Sequence, residues 1–284
     1  MKVDLHTHSI HSDGMLAPEE LLNLAKSKGL KYFAITDHDD IEGSKKLINL
    51  HPSSINIYSG VELNAKVDKG QMHILGYNFD LYNESLNRTL KELKENSIET
   101  IKLYIKQLEE DYNIYLPEEE INQLLAKEGR IGRPQLALIM IKYGYVKDVN
   151  EAFDEYLQDT KVRHLKKSIT AEECINIITN AGGIASLAHP WSLELTNEEL
   201  RSEVSYLKSL GLGAIEVYHS KTSKEQSEFY HNLAIEFNLL ETGGTDFHGF
   251  EVKPDIELGS GIKNNVNINE DDLSLVLKIK SRYK

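Results

Sequence analysis

Seven strand-like segments of this chain end in, or run straight into, a histidine, an aspartate or a glutamate. They carry His6 and His8, Asp37 and His38, Glu62, His73, His189, Glu216 and His219, and Asp246 with His248. Such groups are costly to bury unless they are paired or hold a cation. A fold for this chain must therefore either solvate all of these strand ends or bring them together.

The elements between them favour the second outcome. Lys2 to His8 alternates, with Val3, Leu5 and Thr7 on one face and Asp4, His6 and His8 on the other. A helix is expected next, with Pro18 in its first turn, Glu19 and Glu20 near its N-terminus and Gly29 at its stop. "YFAITDHD", "INIYSGVELN" and "QMHILGYNF" read as strands. Further on, Thr170 with Glu173 and Thr196 with Glu199 form capping boxes that open helices. "IASLAH", "GAIEVYH" and "LLETGGTDFHG" read as strands, and 223–237 and the segment from about 270 as helices. Repeated strand–helix units predict an α/β fold with a mostly parallel sheet of about seven strands, closed as a barrel. In such a barrel the C-terminal strand ends form one rim, and that rim would collect the polar groups.

At about Asn83 the pattern changes. Leu86, Leu90 and Leu93, then Ile101, Ile105 and Leu108, follow helical spacing, and helices are expected at about 117–128, 134–143 and 148–158. The chain thus divides into a barrel of residues 1–82 and 169–284 and an all-helical insert of residues 83–168. Because the insert follows the His73 strand, it is expected to leave from the rim and to cap it.

A chain of 284 residues with 40% hydrophobic and 8% aromatic residues suits a globular protein. No apolar run approaches the roughly 18–20 residues of a membrane span. No leader is evident before Lys2-Val3-Asp4-Leu5, and the single Cys174 suits a reducing compartment, so a cytoplasmic protein is expected. A formal net charge of −13 opposes a general nucleic-acid coat. It does not oppose an anionic substrate, since bound divalent cations reverse the local sign of a site.

Spacing points to such cations. His6 and His8 lie two residues apart, so one strand aims both the same way, and Asp246 and His248 repeat that spacing. Imidazoles and carboxylates without thiolates suit manganese, iron or zinc. Singly, each residue has an ordinary reading: His73 as a half-exposed strand residue, His189 as a strand end before Pro190, Asp13 of "SDG" as a turn former, Glu62 as solvent-facing. Together these readings require the same coincidence at one end of successive strands.

"DLHTHSIHSDG", "ITDHD", "GVELN", "MHILGY", "LAHP" and "GTDFHG" resemble, in order from residue 3 to about 250, the motifs of the PHP (polymerase and histidinol phosphatase) family. The resemblance implies a distorted (β/α)7 barrel holding two to three divalent ions of manganese, iron or zinc. By motif, His6, His8, Glu62 and Asp246 would hold the first ion. Glu62, His73 and His189 would hold the second, with Glu62 bridging, and Asp13, His38 and His248 the third. A helical insert after "HILGY" resembles the branch of nucleoside 3′,5′-bisphosphate phosphatases and 5′-to-3′ exoribonucleases of short RNA. Members typed as histidinol phosphatases usually lack it. "GRPQLA" resembles the branch's "GRPH", with Gln135 where histidine is common.

The expected activity is metal-dependent hydrolysis of a phosphate ester, on a small phosphorylated nucleotide or the 5′ end of short RNA, by attack of a metal-bridging hydroxide. Glu62, Asp246 and His219 are the candidate catalytic residues. His219 either donates to substrate or sits behind a ligand. Arg133, just before Pro134 at a helix start, is placed to bind phosphate or to pair with an acid of the insert; Arg163 is a weaker candidate for the same role. Trp191 could stack on a base but reads better as a hydrophobic plug. Asp37 and Asp39 are expected to orient imidazoles. His11, His51, His164 and His231 have no constellation around them. Competing readings are a histidinol-phosphate-type phosphatase, an amidohydrolase with one or two metals and a modified lysine, and a non-catalytic metal-binding or interaction module. The complete ligand set argues against the last.

Overall fold

The computed structural model describes residues 2–50, 54–158, 162 and 168–283. Strands β1 (Lys2–Asp4), β2 (Leu30–Phe33) and β3 (Asn56–Ile57) form a parallel three-stranded sheet. Strands β4 (Gly60–Ala65), β5 (Met72–Tyr77), β6 (Ile184–Leu187), β7 (Ala214–Tyr218) and β8 (Leu240–Gly243) form a second sheet in chain order. In it β5 runs antiparallel to both neighbours, while β6, β7 and β8 are parallel. The architecture is mixed α/β, with eight short strands in two sheets among the described residues where the sequence suggests one mostly parallel sheet of about seven strands. The strands stop early because the segments that follow them turn toward one another. Only isolated bridges continue the pairing there, Thr7 to Phe247 and His38 to Glu62.

Helices α1 (Pro18–Ser27) and α2 (Glu42–Asn49) pack Leu21, Leu22, Ala25 and Leu47 against Leu30, Phe33 and Ile57. Helices α7 (Ala171–Asn180), α8 (Asn197–Ser209) and α9 (Lys224–Glu236) cover the second sheet with Cys174, Ile175, Ile178, Val204, Leu207 and Leu233. Both expected capping boxes form: Thr170 and Thr196 accept from the backbone N–H of Glu173 and Glu199, whose carboxylates return to the cap residues' N–H. Val3, Leu5, Ala34, Tyr58, Leu75 and Tyr77 meet between the two sheets.

The direction of β5 changes how the helical segment is reached. His73 stands at the start of β5, opposite Asn64 near the end of β4, and Tyr77 lies at the far end. The chain therefore leaves the sheet at the end away from His73, which corrects the expectation that it departs from the polar rim. Helix α3 (Glu84–Tyr112) makes up the distance: its 29 residues span about 43 Å at 1.5 Å per residue. Leu86, Leu90 and Leu93 join the core of the second sheet, whereas Ile101, Tyr104, Ile105 and Leu108 join a separate core. That core also takes residues from α4 (Glu118–Leu125), α5 (Arg133–Lys142) and the turns that follow. The helix expected at 148–158 is a short α6 (Val149–Glu151) continuing as a π-helix over Ala152–Tyr156. The C-terminal helix is reduced to α10 (Ser274–Lys278).

Cys174 sits on the sheet-facing side of α7 with no exposed surface, and burial raises its thiol well above the usual range. A disulfide-exchange reagent should release no thiol signal from the native protein and one equivalent per chain after denaturation.

Candidate active site

The strand-end residues converge. His6 and His8 follow β1, and each Nε2 lies 3.2 Å from Oε2 of Glu62 in β4. Nδ1 of His38 lies 3.3 Å from the same oxygen. The other oxygen, Oε1, is 2.8 Å from Nδ1 of His73 and 2.9 Å from Nε2 of His189. Oδ1 of Asp246 is 3.2 Å from Nε2 of His8 and 3.6 Å from Nε2 of His6. Asp13 closes the other side, 3.3 Å from Nε2 of His248 and 3.8 Å from Nε2 of His38. All nine candidate ligands thus line one site, and all but His73 are buried.

Their backbone explains how. His189 and Asp246 have φ of 25° and 56°, a region L-residues seldom enter, and each turns its side chain inward just past a strand. Gly14 lets the Ser9–Gly14 loop fold back on itself, since a Cβ there would lie 2.2 Å from the carbonyl oxygen of His8.

The donor atoms form three groups, each within 4.8 Å: His6, His8, Glu62 and Asp246; His8, Asp13, His38 and His248; and His38, Glu62 and His73. His189 joins the third group, with its Nε2 3.2 Å from Nδ1 of His73. Nε2 of His6 and His8, Nδ1 of His38, Oδ1 of Asp13 and Oε2 of Glu62 are buried without a hydrogen-bond partner. Buried polar atoms are seldom left so. Imidazole nitrogens and carboxylate oxygens facing shared centres fit divalent cations well.

Electrostatics prepares the same groups. Burial alone would raise the Glu62 carboxyl, but His38, His6 and His73 pull it well below the usual carboxylate range. Asp13 and Asp246 likewise fall well below it against the effect of burial, Asp13 through His248 and His38, Asp246 through Lys253 and His248. All three are therefore anionic at neutral pH. Burial lowers His38 and His248, which favours the neutral imidazole that a ligand to a cation must present. Against burial, Asp246 and Glu62 lift His8 to about 9, and Glu216 and Glu62 hold His6 well above its ordinary value. A cation bound between them has to displace those protons.

Several supporting roles differ from the sequence reading. Among the described residues Asp37 has no direct hydrogen bond to an imidazole; it accepts from Ser9 N (2.7 Å), Ser9 Oγ (2.6 Å) and Ser12 Oγ (2.7 Å), which pins the loop leading to Asp13, and it reaches His8 only through Ser12 Oγ, 3.4 Å from His8 Nδ1. Asp39 accepts from Asn64 and lies 2.8 Å from Nε of Arg130, again with no imidazole. Both side chains turn back to the neighbouring loop and strand because the imidazoles face the centre. The imidazoles are oriented by other groups. Glu216 Oε1 lies 2.9 Å from Nδ1 of His6, and Oε2 accepts from His189 N at 2.7 Å. Ser192 Oγ is 2.8 Å from Nδ1 of His189. Glu216 was visible in the sequence only as one more strand carboxylate. Its alternation with Ile215 and Val217 was the available signal.

His219 is buried. Its Nδ1 accepts from Lys221 N (3.0 Å) and Trp191 Nε1 (3.3 Å), which leaves Nε2 to donate to Oδ2 of Asp246 at 3.3 Å. Both ring nitrogens are thus engaged, and the geometry places His219 behind Asp246. Lys253, which carried no sequence signal, lies 2.5 Å from the same Oδ2.

The ligands open into a cavity of about 900 Å³. Its opposite wall comes from the helical segment, with Leu93, Ile101, Tyr104, Arg133 and Phe153, and Trp191 lines its side. Arg133 Nη1 donates to the carbonyl of Leu157 at 3.2 Å, and its guanidinium lies 4.9 Å from the Phe153 ring centre. Among the described residues it has no carboxylate partner. Arg163, His51 and His164 lie outside the described residues.

Comparison with known proteins agrees with this geometry. Convergent histidines and carboxylates on an α/β scaffold define a metal-dependent phosphoesterase. The chain belongs to the PHP domain family, whose model matches residues 4–165. It is 30% identical to the 5′-3′ exoribonuclease Rnm of Escherichia coli K12 over 261 residues, covering 90% of this chain and 87% of that one. It is 26% identical to the 3′,5′-nucleoside bisphosphate phosphatase of Chromobacterium violaceum, covering 87% of each. A solved Bifidobacterium adolescentis structure, assigned as a metal-dependent phosphoesterase, superposes with a TM-score of 0.81 at 26% identity, covering 95% of this chain and 93% of that one. Among the described residues no helix is long and apolar enough to cross a membrane.

Asp37→Ala should strand three buried donors beneath the Asp13 loop. Urea denaturation should show a loss of about 3 kcal/mol, since each lost partner of a charged acceptor is worth roughly 1.5–3 kcal/mol and such losses overlap.

Proposed function

We propose that the nine side chains hold two to three divalent cations and that the protein hydrolyses phosphate esters of nucleotides, either a nucleoside 3′,5′-bisphosphate or the 5′ end of a short RNA. The observation that carries this reading is Glu62: one buried carboxylate lies within 3.3 Å of the imidazoles of His6, His8, His38, His73 and His189. A carboxylate so surrounded suits a bridging ligand. Divalent cations there would supply an activated water near neutral pH and neutralise charge on the phosphoryl oxygens.

The chain's own residues divide the remaining work. His6, His8, Glu62 and Asp246 would hold one ion; Glu62, His73 and His189 a second; Asp13, His38 and His248 a third, with His8 also in reach. Glu216 orients His6, and His219 orients Asp246, so His219 acts through a ligand rather than on substrate. Arg133 is held by Leu157 and Phe153 with guanidinium N–H groups left to reach a phosphate across the cavity. The helical segment, residues 83–168, would then act as a cap that forms the specificity wall. The two sheets read as the halves of a distorted (β/α)7 barrel. Backbone bonds cross both seams, from Asp246 N to His6 O (2.8 Å) and from Glu62 N to Asp37 O (3.1 Å). The names of the relatives support a nucleotide substrate over histidinol phosphate. The free Cys174 supports a cytoplasmic location.

The manganese-loaded protein should cleave nucleoside 3′,5′-bisphosphate or short 5′-phosphorylated RNA at least tenfold faster than histidinol phosphate; the reverse order would defeat the substrate assignment. Glu62→Gln should leave a folded protein, by circular dichroism, with less than about 1% of turnover, because an amide cannot neutralise two cations. Arg133→Ala should mainly raise KM for the phosphorylated nucleotide. A direct charge-assisted contact is worth about 1.5–3 kcal/mol, or roughly 10- to 150-fold. Unchanged steady-state kinetics in that variant would return Arg133 to a purely structural role.

A further inference from the structure

Asp13 differs from the other eight candidate ligands in how its backbone is held. Those eight lie in a strand or within a few residues of strand or bridge pairing. Asp13 lies in a loop between two backbone bonds to the Phe247–His248 segment, His8 N to Phe247 O (2.9 Å) and Met15 N to His248 O (2.8 Å), and neither of these involves the Ser12–Asp13 peptide. Its loop is pinned from one side by Asp37. From the other side it is gripped by the helical segment.

That grip is specific. Gln135, in the first turn of α5, donates from Nε2 to the carbonyl of Ser12, and its Oε1 accepts from Gly132 N at 2.8 Å. Lys127 Nζ donates to the same Ser12 carbonyl at 3.3 Å. Next to it, Arg130 N donates to His11 O at 2.9 Å. The Ser12 carbonyl belongs to the peptide that joins Ser12 to Asp13, so two donors from the helical segment set the plane from which the Asp13 side chain departs. Gln135 is buried, and both ends of its amide are engaged. It is absent from the cavity lining, which argues against direct contact with substrate.

We propose that Gln135 is a positioning residue. Through the Ser12 carbonyl it holds Asp13 in place within the group of His8, Asp13, His38 and His248, and so lets the helical segment set cation affinity there. The inference rests on the cation reading of that group given above. It also accounts for a glutamine at this position, since what the site requires is an N–H donor of this reach. Arg133 and Gln135 share the first turn of α5.

Equilibrium dialysis of the full chain with manganese tests this. Asp13→Asn defines the site: it should bind one manganese fewer than the natural sequence. Gln135→Ala should weaken that one manganese about 10- to 100-fold, the usual effect of losing a group that supports a ligand, and leave the others unchanged. Gln135→His, which keeps an N–H donor, should recover most of the loss. Lys127→Ala, which removes the second donor, should shift the same manganese in the same direction by less, and decides the matter if Gln135→Ala does not fold. A Gln135→Ala protein that binds every manganese as tightly as the natural sequence overturns the inference, as does one in which all sites weaken alike. Equal manganese counts for Asp13→Asn and the natural sequence would instead overturn the cation reading of the group.

Discussion

The buried carboxylate of Glu62 sits among five imidazoles from four separate segments, and most of the molecule can be understood as the means of keeping it there. An isolated carboxylate out of water is unstable by several kcal/mol. Here the surrounding histidines reverse the effect of burial and keep Glu62 anionic. The opposing charges are supplied by strands far apart in sequence, so the site exists only when both sheets are in register. The bridge between His38 and Glu62 is one of the two places where the sheets meet, which makes this carboxylate both a chemical centre and part of a structural seam.

Around that centre the protein uses fixed groups to aim ligands rather than leaving them to solvent. Glu216 and Ser192 orient His6 and His189, and Asp37 ties down the loop that leads to Asp13. Such supporting partners fix tautomer and direction and strengthen a ligand's hold on a cation. The inward atoms of His6, His8, Asp13, His38 and Glu62 are the ones without hydrogen-bond partners, and the supporting contacts engage the outward ones.

The helical segment enters the site by an indirect route. Because β5 runs antiparallel, the chain leaves at the end away from His73 and returns along α3. One helix therefore packs Leu86 and Leu90 into the sheet core and Ile105 and Leu108 into the separate helical core. The same segment builds the far wall of the cavity and touches the Asp13 loop through Lys127, Arg130 and Gln135. The cavity wall and the Asp13 loop are thus linked by one set of helices.

Much of the site was legible in the sequence, for a physical reason. Buried histidines and carboxylates after apolar runs are too costly to be accidental, and a two-residue spacing such as His6 and His8 aims both side chains the same way whatever the tertiary context. Helix starts were legible for a similar reason, since Thr170 and Thr196 cap through contacts three residues away. What lay beyond sequence was direction and partnership. Period-2 alternation reads the same forward and backward, so nothing in "MHILGY" reveals that β5 is antiparallel. Nor does it show that His73 reaches the site from the start of its strand. Asp37, Asp39, Glu216 and Gln135 each have a partner 25 to 210 residues away. Residue type alone shows that a buried carboxylate or amide needs a partner, and only the packing of distant segments decides which one it finds.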